Sequence, residues 1–190
     1  MASRPRPHTM SVASRTDEGS RFARTAWGPR TVSTATGDLQ VSIHETRKAF
    51  QREIEFVLPG VALDRGLLAI ATMQIARHDL VQVGDDIETE KDRLLETFMA
   101  FSKDLCERLI AKGHFADYID PCSGLAMITK DANKVFSEVD SAEQLLGYSV
   151  MNAGCCKVLL HPSWGSAVYP ATIFTNATTE EVVEALGVVA

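Results

Sequence analysis

An α+β domain, built on a mixed and largely antiparallel sheet flanked by helices, is what this sequence predicts, and three observations carry the prediction. A long amphipathic helical pattern occupies the middle of the chain, short apolar runs of strand character lie on both sides of it, and the late connections are of hairpin length, which favours antiparallel pairing. The 190 residues, 45% apolar and 23% charged, suit one globular domain.

Taken in order, residues 1–38 read as a disordered tail and residues 39–190 as the single domain. Residues 1–37 contain no Leu and no Ile but many Ser, Thr and Pro, too little apolar surface to offset the entropy of ordering. Leu39 to Ile43 alternates like a short strand. Phe50, Ile54, Val57 and Leu58 follow helical spacing, and Pro59-Gly60 stops that helix. Leu67 to Arg77 suits a strand buried on both faces, and a second strand is expected at Leu80–Val83. The long helix runs from about Glu88 to Lys112 on Leu94, Phe98, Phe101, Leu105 and Leu109, with Thr89 and Asp92 as a candidate capping box and Gly113 as the stop. Strands are expected at Phe115–Ile119, Leu125–Thr129, Cys155–His161 and Ala167–Phe174, with helices near Ala142–Leu146 and Thr179–Leu186.

Charge narrows the function classes. Six arginines (Arg4, Arg6, Arg15, Arg21, Arg24 and Arg30) face only Asp17 and Glu18 in the first 37 residues, so the remaining body carries most of the acid behind the overall charge of −6. An acidic body is a poor binder of phosphate backbones, which argues against nucleic acid as a partner. No apolar run approaches the roughly 20 residues that span a bilayer, which argues against membrane insertion. Four cysteines make no disulfide scaffold and no secretory signal is visible, so a reducing, cytoplasmic setting fits. The Arg- and Ser-rich tail also has the composition of a mitochondrial transit peptide, so a targeting segment and a plain tail both remain open.

Several kinds of chemistry are missing from the pattern: no glycine-rich dinucleotide or phosphate loop, no Gly-x-Ser-x-Gly elbow, no Cys-x-x-Cys and no His-Glu-x-x-His. No catalytic residue is assigned. His44, His78 and His114 read as surface or element-end residues. Asp117 and Asp120 resemble paired carboxylates, but Asp120-Pro121-Cys122-Ser123-Gly124 is a turn sequence, and the turn reading is preferred. Cys106 lies on the apolar stripe of the long helix and reads as inert packing.

The informative segment is Gly154-Cys155-Cys156-Lys157-Val158-Leu159-Leu160-His161. Adjacent cysteines bridge poorly, because a disulfide wants Cα atoms about 5.5 Å apart and a peptide unit gives about 3.8 Å. In an extended segment Cys156, Val158 and Leu160 share one apolar face, expected in the core. Cys155, Lys157, Leu159 and His161 share the other, where cations favour a thiolate. Cys155 is therefore the available sulfur: a nucleophile, a redox sensor or a soft metal ligand.

At these residues the chain resembles the cobalamin-trafficking CblD family, methylmalonic aciduria and homocystinuria type D. The resemblance runs through Ala116 to Ala126 (Ala-Asp-Tyr-Ile-Asp-Pro-Cys-Ser-Gly-Leu-Ala). It continues in Leu146-Gly147-Tyr148-Ser149-Val150, in Gly154-Cys155-Cys156-Lys157-Val158 with His161, Trp164 and Gly165, and in Ile173 to Thr178. Cys122 departs from the family pattern, where Ser is expected. The resemblance implies a nitroreductase-like fold that has lost its flavin site, and an adaptor rather than an enzyme. It implies no cofactor bound by the chain alone and cobalamin met through a CblC-type cobalamin-processing partner. Cys155 would be the cobalt ligand, with Lys157 and His161 in support, and cofactor would pass to methionine synthase in the cytosol or methylmalonyl-CoA mutase in mitochondria. The competing class is a flavin-dependent nitroreductase or flavin reductase. It needs a phosphate anchor, for which Arg21 and Arg24 are the one cluster in view.

Overall fold

The computed structural model describes residues 23–62, 66–154 and 156–188. Its elements are β1 (Arg24–Ser33), β2 (Asp38–Glu45), α1 (Lys48–Val57), β3 (Leu68–Ile75), α2 (Asp85–Ala111), β4 (Ala116–Tyr118), α3 (Glu138–Leu146), β5 (Ser149–Ala153), β6 (Cys156–Leu160), β7 (Val168–Thr175) and α4 (Thr179–Leu186). Five strands form one sheet in the order β1-β2-β3-β7-β4, every neighbouring pair antiparallel, and β5 and β6 form a separate two-stranded sheet. The fold is thus α+β, with antiparallel pairing throughout.

Strand alternation sorts the core into two faces. Val41, Ile43, Ile70 and Ile173 pack with Phe98, Leu105 and Leu109 of α2 and Val182 of α4. Ala69 and Phe174 point the other way, against Phe50, Ile54 and Val57 of α1 and Leu145 of α3. β3 is buried almost along its whole length because both faces are covered, as its unbroken apolar sequence requires. Near the end of the sheet Met73 and Val168 meet Leu159 of β6 and Ala142 of α3, which seats the small sheet on the same side as α3.

The tail boundary at Leu39 needs correction, because Arg24–Ser33 is an edge strand paired with β2. Counting Leu and Ile missed the side chains that hold it: Val32 is buried and Trp27 packs on the core, with the Arg30 guanidinium 5.3 Å from the centre of its ring. The strand is irregular around Trp27 and Gly28. Gly28 has φ +80°, and a Cβ there would lie 2.5 Å from the Val41 carbonyl oxygen, so the close approach of β1 to β2 needs glycine. Residues 1–22, including Arg21 of the supposed anchor, lie outside the described residues. Arg24 is paired with Glu45 across β1 and β2.

Three other expectations change for local reasons. No strand forms at Leu80–Val83, because the Asp79 carboxylate and carbonyl accept the N–H groups of Val81 and Gln82 and fold the segment into a turn. Leu125–Thr129 contributes only a bridge from Ala126 to Ile119. There the Asp117 carboxylate takes the N–H groups of Met127, Ile128 and Thr129. The long helix starts a turn earlier than Thr89, after Gly84 and without a side-chain cap, and carries Asp85, Asp86 and Glu88 where its N-terminal dipole favours negative charge. α4 has the full capping box, Thr178 with Glu181, and ends at Gly187.

Candidate functional site

The hairpin of β5 and β6 carries the segment singled out by sequence. Ala153 pairs with Cys156, so Gly154-Cys155 is the whole connection between the paired ends, and Gly154 takes φ +63°. Cys155 itself lies outside the described residues. Cys156 is exposed rather than in the core, and Val158 and Leu160 are half-buried. The buried members are Leu159 and His161. The alternation expected from sequence is present but its faces are exchanged, because the body of the protein lies on the Lys157, Leu159 and His161 side, where α3 and the main sheet supply the contacts.

Lys157 and His161 are accordingly committed to packing. The Lys157 ammonium donates to the Asp140 carboxylate of α3 at 2.6 Å, which holds the Asp140 carboxyl below its ordinary range and raises the ammonium. The His161 ring stacks on Trp164 and meets Tyr148 edge-on at 5.3 Å between centroids. Its Nδ1 accepts from the Ser163 backbone N–H at 3.2 Å, which leaves Nε2–H to donate to Gln40 Oε1 of β2 at 3.1 Å. Burial lowers its pKa, consistent with a neutral imidazole. Gln40 and Asp140 carried no sequence signal of their own, and Tyr148 entered only as part of the family resemblance. Only register and packing bring them here.

Beside Cys156 an open groove of about 440 Å³ runs between the Leu80–Val83 turn, β6 and β7, with Val81, Val83, Val158 and Tyr169 in its walls. Val83 is almost fully exposed. Burial, then the neighbouring Cys122 thiol and Asp120, push the Tyr169 phenol up, so Cys122 sits against this tyrosine rather than in the hairpin. Asp120 makes the expected turn, accepting from Cys122 N–H, Ser123 N–H and Ser123 Oγ. Asp117 is a buried backbone clamp, and the turn reading of this pair stands. Cys106 is buried, its thiol pushed up to about 12 by burial and then by Asp117 and Glu107, so it packs and does not react. His44, read as a surface or element-end residue, lies near the end of β2 but is buried there between Ser42 and Thr25, and desolvation lowers its pKa to about 4.

Among the described residues no three His, Cys, Asp or Glu side chains are grouped as a metal site. What fold and site define is an antiparallel α+β domain with an exposed thiol on a small hairpin sheet beside an apolar groove. Residues 11–186 match the family described as methylmalonic aciduria and homocystinuria type D protein, and the chain belongs to that family. Among curated relatives, proteins named cobalamin trafficking protein CblD are similar to it. The Rattus norvegicus protein is 37% identical over 142 residues, covering 75% of this chain and 48% of the relative. The Homo sapiens protein is 35% identical over the same shares, and the Gallus gallus protein 32% over 73% of this chain and 47% of its own. The chain spans about half the length of the curated relatives it matches.

Proposed function

We propose that this chain is a non-enzymatic adaptor in intracellular cobalamin trafficking. It docks a cobalamin-loaded CblC-type protein, offers the Cys155 thiolate to the cobalt of the bound cofactor, and directs that cofactor toward methionine synthase or methylmalonyl-CoA mutase. A nitroreductase-like ancestry without a flavin belongs to the same reading. Family membership and the trafficking role for which the relatives are named support the pathway. One geometric observation supports the mode. The Gly154-Cys155 connection joins strands of a two-stranded sheet outside the main one, next to exposed Cys156 and an open apolar groove.

A thiolate is a soft donor suited to a transition metal, and cobalt is here cargo delivered by the partner. Lys157 and His161 support the site by position. One ties β6 to α3 through Asp140, and the other ties the end of β6 to β2 through Gln40. The test is to mix the purified chain with a cobalamin-loaded CblC-type protein. The mixture is followed by gel filtration and by the cobalamin absorption spectrum. The expected result is co-elution with a new cobalt–thiolate band that Cys155→Ser abolishes without abolishing co-elution. No complex at all removes the adaptor reading, and a complex whose spectrum ignores Cys155→Ser removes the thiolate.

A further inference from the structure

The groove beside Cys156 lies along a strand edge. Four consecutive residues of β6, Cys156 to Leu159, line it, whereas β5 contributes only Ala153 at its end. Consecutive side chains of a strand point to opposite faces, so a hollow touching all four follows the edge rather than a face. Backbone register agrees. The Ala153 and Cys156 pair closes a two-residue connection, so it exchanges both of its hydrogen bonds across the hairpin. Alternation then turns the N–H and C=O of Lys157, Leu159 and His161 away from β5. His161 uses both of its groups on Gly165, each at 2.9 Å, on the way into β7. On the Cys156 side of that bridge β6 and β7 part into separate sheets. Among the described residues the outward groups of Lys157 and Leu159 have no backbone partner. The facing edge of β7 is blunted by Pro170, which lacks an N–H, and by Glu138, whose carboxylate takes the Thr172 N–H at 3.1 Å. Neither device appears along β6.

We propose that this edge of β6 takes an extended segment of the cobalamin-carrying partner as a third strand. The inference rests on the adaptor reading and adds where, and by what contact, the partner is gripped. Backbone pairing supplies the hold in a strand addition, and the walls decide which side chains it accepts. Val83, 97% exposed, and half-buried Val158 form an apolar wall, so the segment turns apolar side chains toward them. Gln82 and Val83 also belong to an adjoining polar hollow of about 410 Å³ that holds Asp85 and Asp86. Neither carboxylate sits in an ion pair among the described residues, so a lysine or arginine flanking the apolar stretch completes the match. The edge ends at Cys156, next to the Gly154-Cys155 connection, so a segment paired there holds its protein beside the residue proposed as the cobalt ligand.

The test uses the full chain and a cobalamin-loaded CblC-type protein, followed by calorimetry and hydrogen exchange. On adding the partner, the Lys157 and Leu159 amides should exchange about tenfold or more slowly. Lys157→Pro removes an outward N–H without touching the ladder to β5. It should bind about tenfold or more weakly than Lys157→Ala, which equally loses the Asp140 ion pair but keeps that N–H. Val83→Asp, at an exposed position, should weaken binding by a similar factor, with unchanged exchange in α2 as the control for folding. Cys155→Ser should leave the two amides slowed. A complex in which those amides exchange at their free rates overturns strand addition and leaves the adaptor reading standing. Equal binding by the proline and alanine variants does the same, and so does binding untouched by Val83→Asp. No complex with the native chain defeats the adaptor reading and this inference with it. Amides already slow in the chain alone, and slower as its concentration rises with doubled mass by light scattering, would assign the edge to a second copy and overturn the proposal.

Discussion

The imidazole of His161 lies on the indole of Trp164, ring centroids 3.9 Å apart and planes 15° from parallel. With Nε2–H donating to Gln40, this stack joins the end of β6 to β2, residues 121 positions apart in sequence. His161→Ala would remove the stack and leave the half-buried Gln40 oxygen short of a donor. A loss on the order of 2–3 kcal/mol is expected in urea unfolding. Gln40→Ala should cost less, on the order of 1 kcal/mol, because the stack remains. No measurable cost in either variant would mean that the hairpin is held by the α3 contacts alone.

Two buried groups give stability opposite dependences on pH. His44 has its pKa lowered from 6.5 to about 4 by desolvation, so its contribution is present above pH 6.5 and is lost as pH falls toward 4. Glu138, whose carboxylate accepts from the Thr172 backbone N–H and hydroxyl, is pushed up from 4.5 to about 7 by burial, against those hydrogen bonds. Its contribution is complete below pH 4.5 and is lost as pH rises through about 7. From pH 4.5 to 6.5 the two slopes oppose and nearly cancel, so the contribution of this pair to the unfolding free energy should be almost flat there. His44→Gln should expose a fall in stability as pH rises from 4.5 to 7, and Glu138→Gln a rise from 4.5 to 6.5, each on the order of 2–3 kcal/mol across its window. A Glu138→Gln variant whose stability stays flat over that range would remove the carboxyl as a contributor.

How much of this was legible in the sequence depends on where each element gets its hydrogen bonds. α2, α4 and β7 announce themselves through periodicity, caps and β-branched runs, and their observed bounds differ from the expected ones by a few residues at most. β1 was hidden, because a strand held by Trp27, Val32 and pairing to β2 needs few aliphatic residues of its own. Leu80–Val83 and Leu125–Thr129 looked like strands by composition, yet the carboxylates of Asp79 and Asp117 claim backbone donors that a ladder would need. For the hairpin, period two was right, but which face is covered depends on where α3 and β2 pack. Nothing local to residues 155–161 records that.

Asp117 offers a direct test of that competition. Its Oδ1 accepts from the N–H groups of Tyr118, Met127 and Ile128, and its Oδ2 accepts from Thr129 at 2.7 Å. Asp117→Asn would place an amide donor against one of these donors, or leave one unsatisfied, at a cost on the order of 1–3 kcal/mol in urea unfolding. Asp117→Ala should cost more, and should speed exchange of the Met127, Ile128 and Thr129 amides while α4 stays protected. Native exchange at those three amides in the alanine variant would show that the segment holds its shape without the clamp.

The thiols should separate by reactivity and by stability in the order their surroundings set. Cys106, fully buried with its thiol pushed up to about 12, should stay unmodified by iodoacetamide at pH 8 in the native state and react only on unfolding. Cys122 and Cys156 are exposed and should be alkylated in the folded protein. The same exposure reverses the stability expectation drawn from alternation alone. Cys156→Ser leaves a hydroxyl in water, so its cost should stay within about 0.5 kcal/mol. Cys106→Ser buries a hydroxyl among Phe98, Tyr118 and their neighbours and should cost on the order of 1–3 kcal/mol. Mass spectrometry of alkylated peptides and urea unfolding of the two serine variants read both halves. Protection of Cys156 in the free chain, together with a large loss on Cys156→Ser, would restore the buried face to Cys156 and require a different register for β6 against β5.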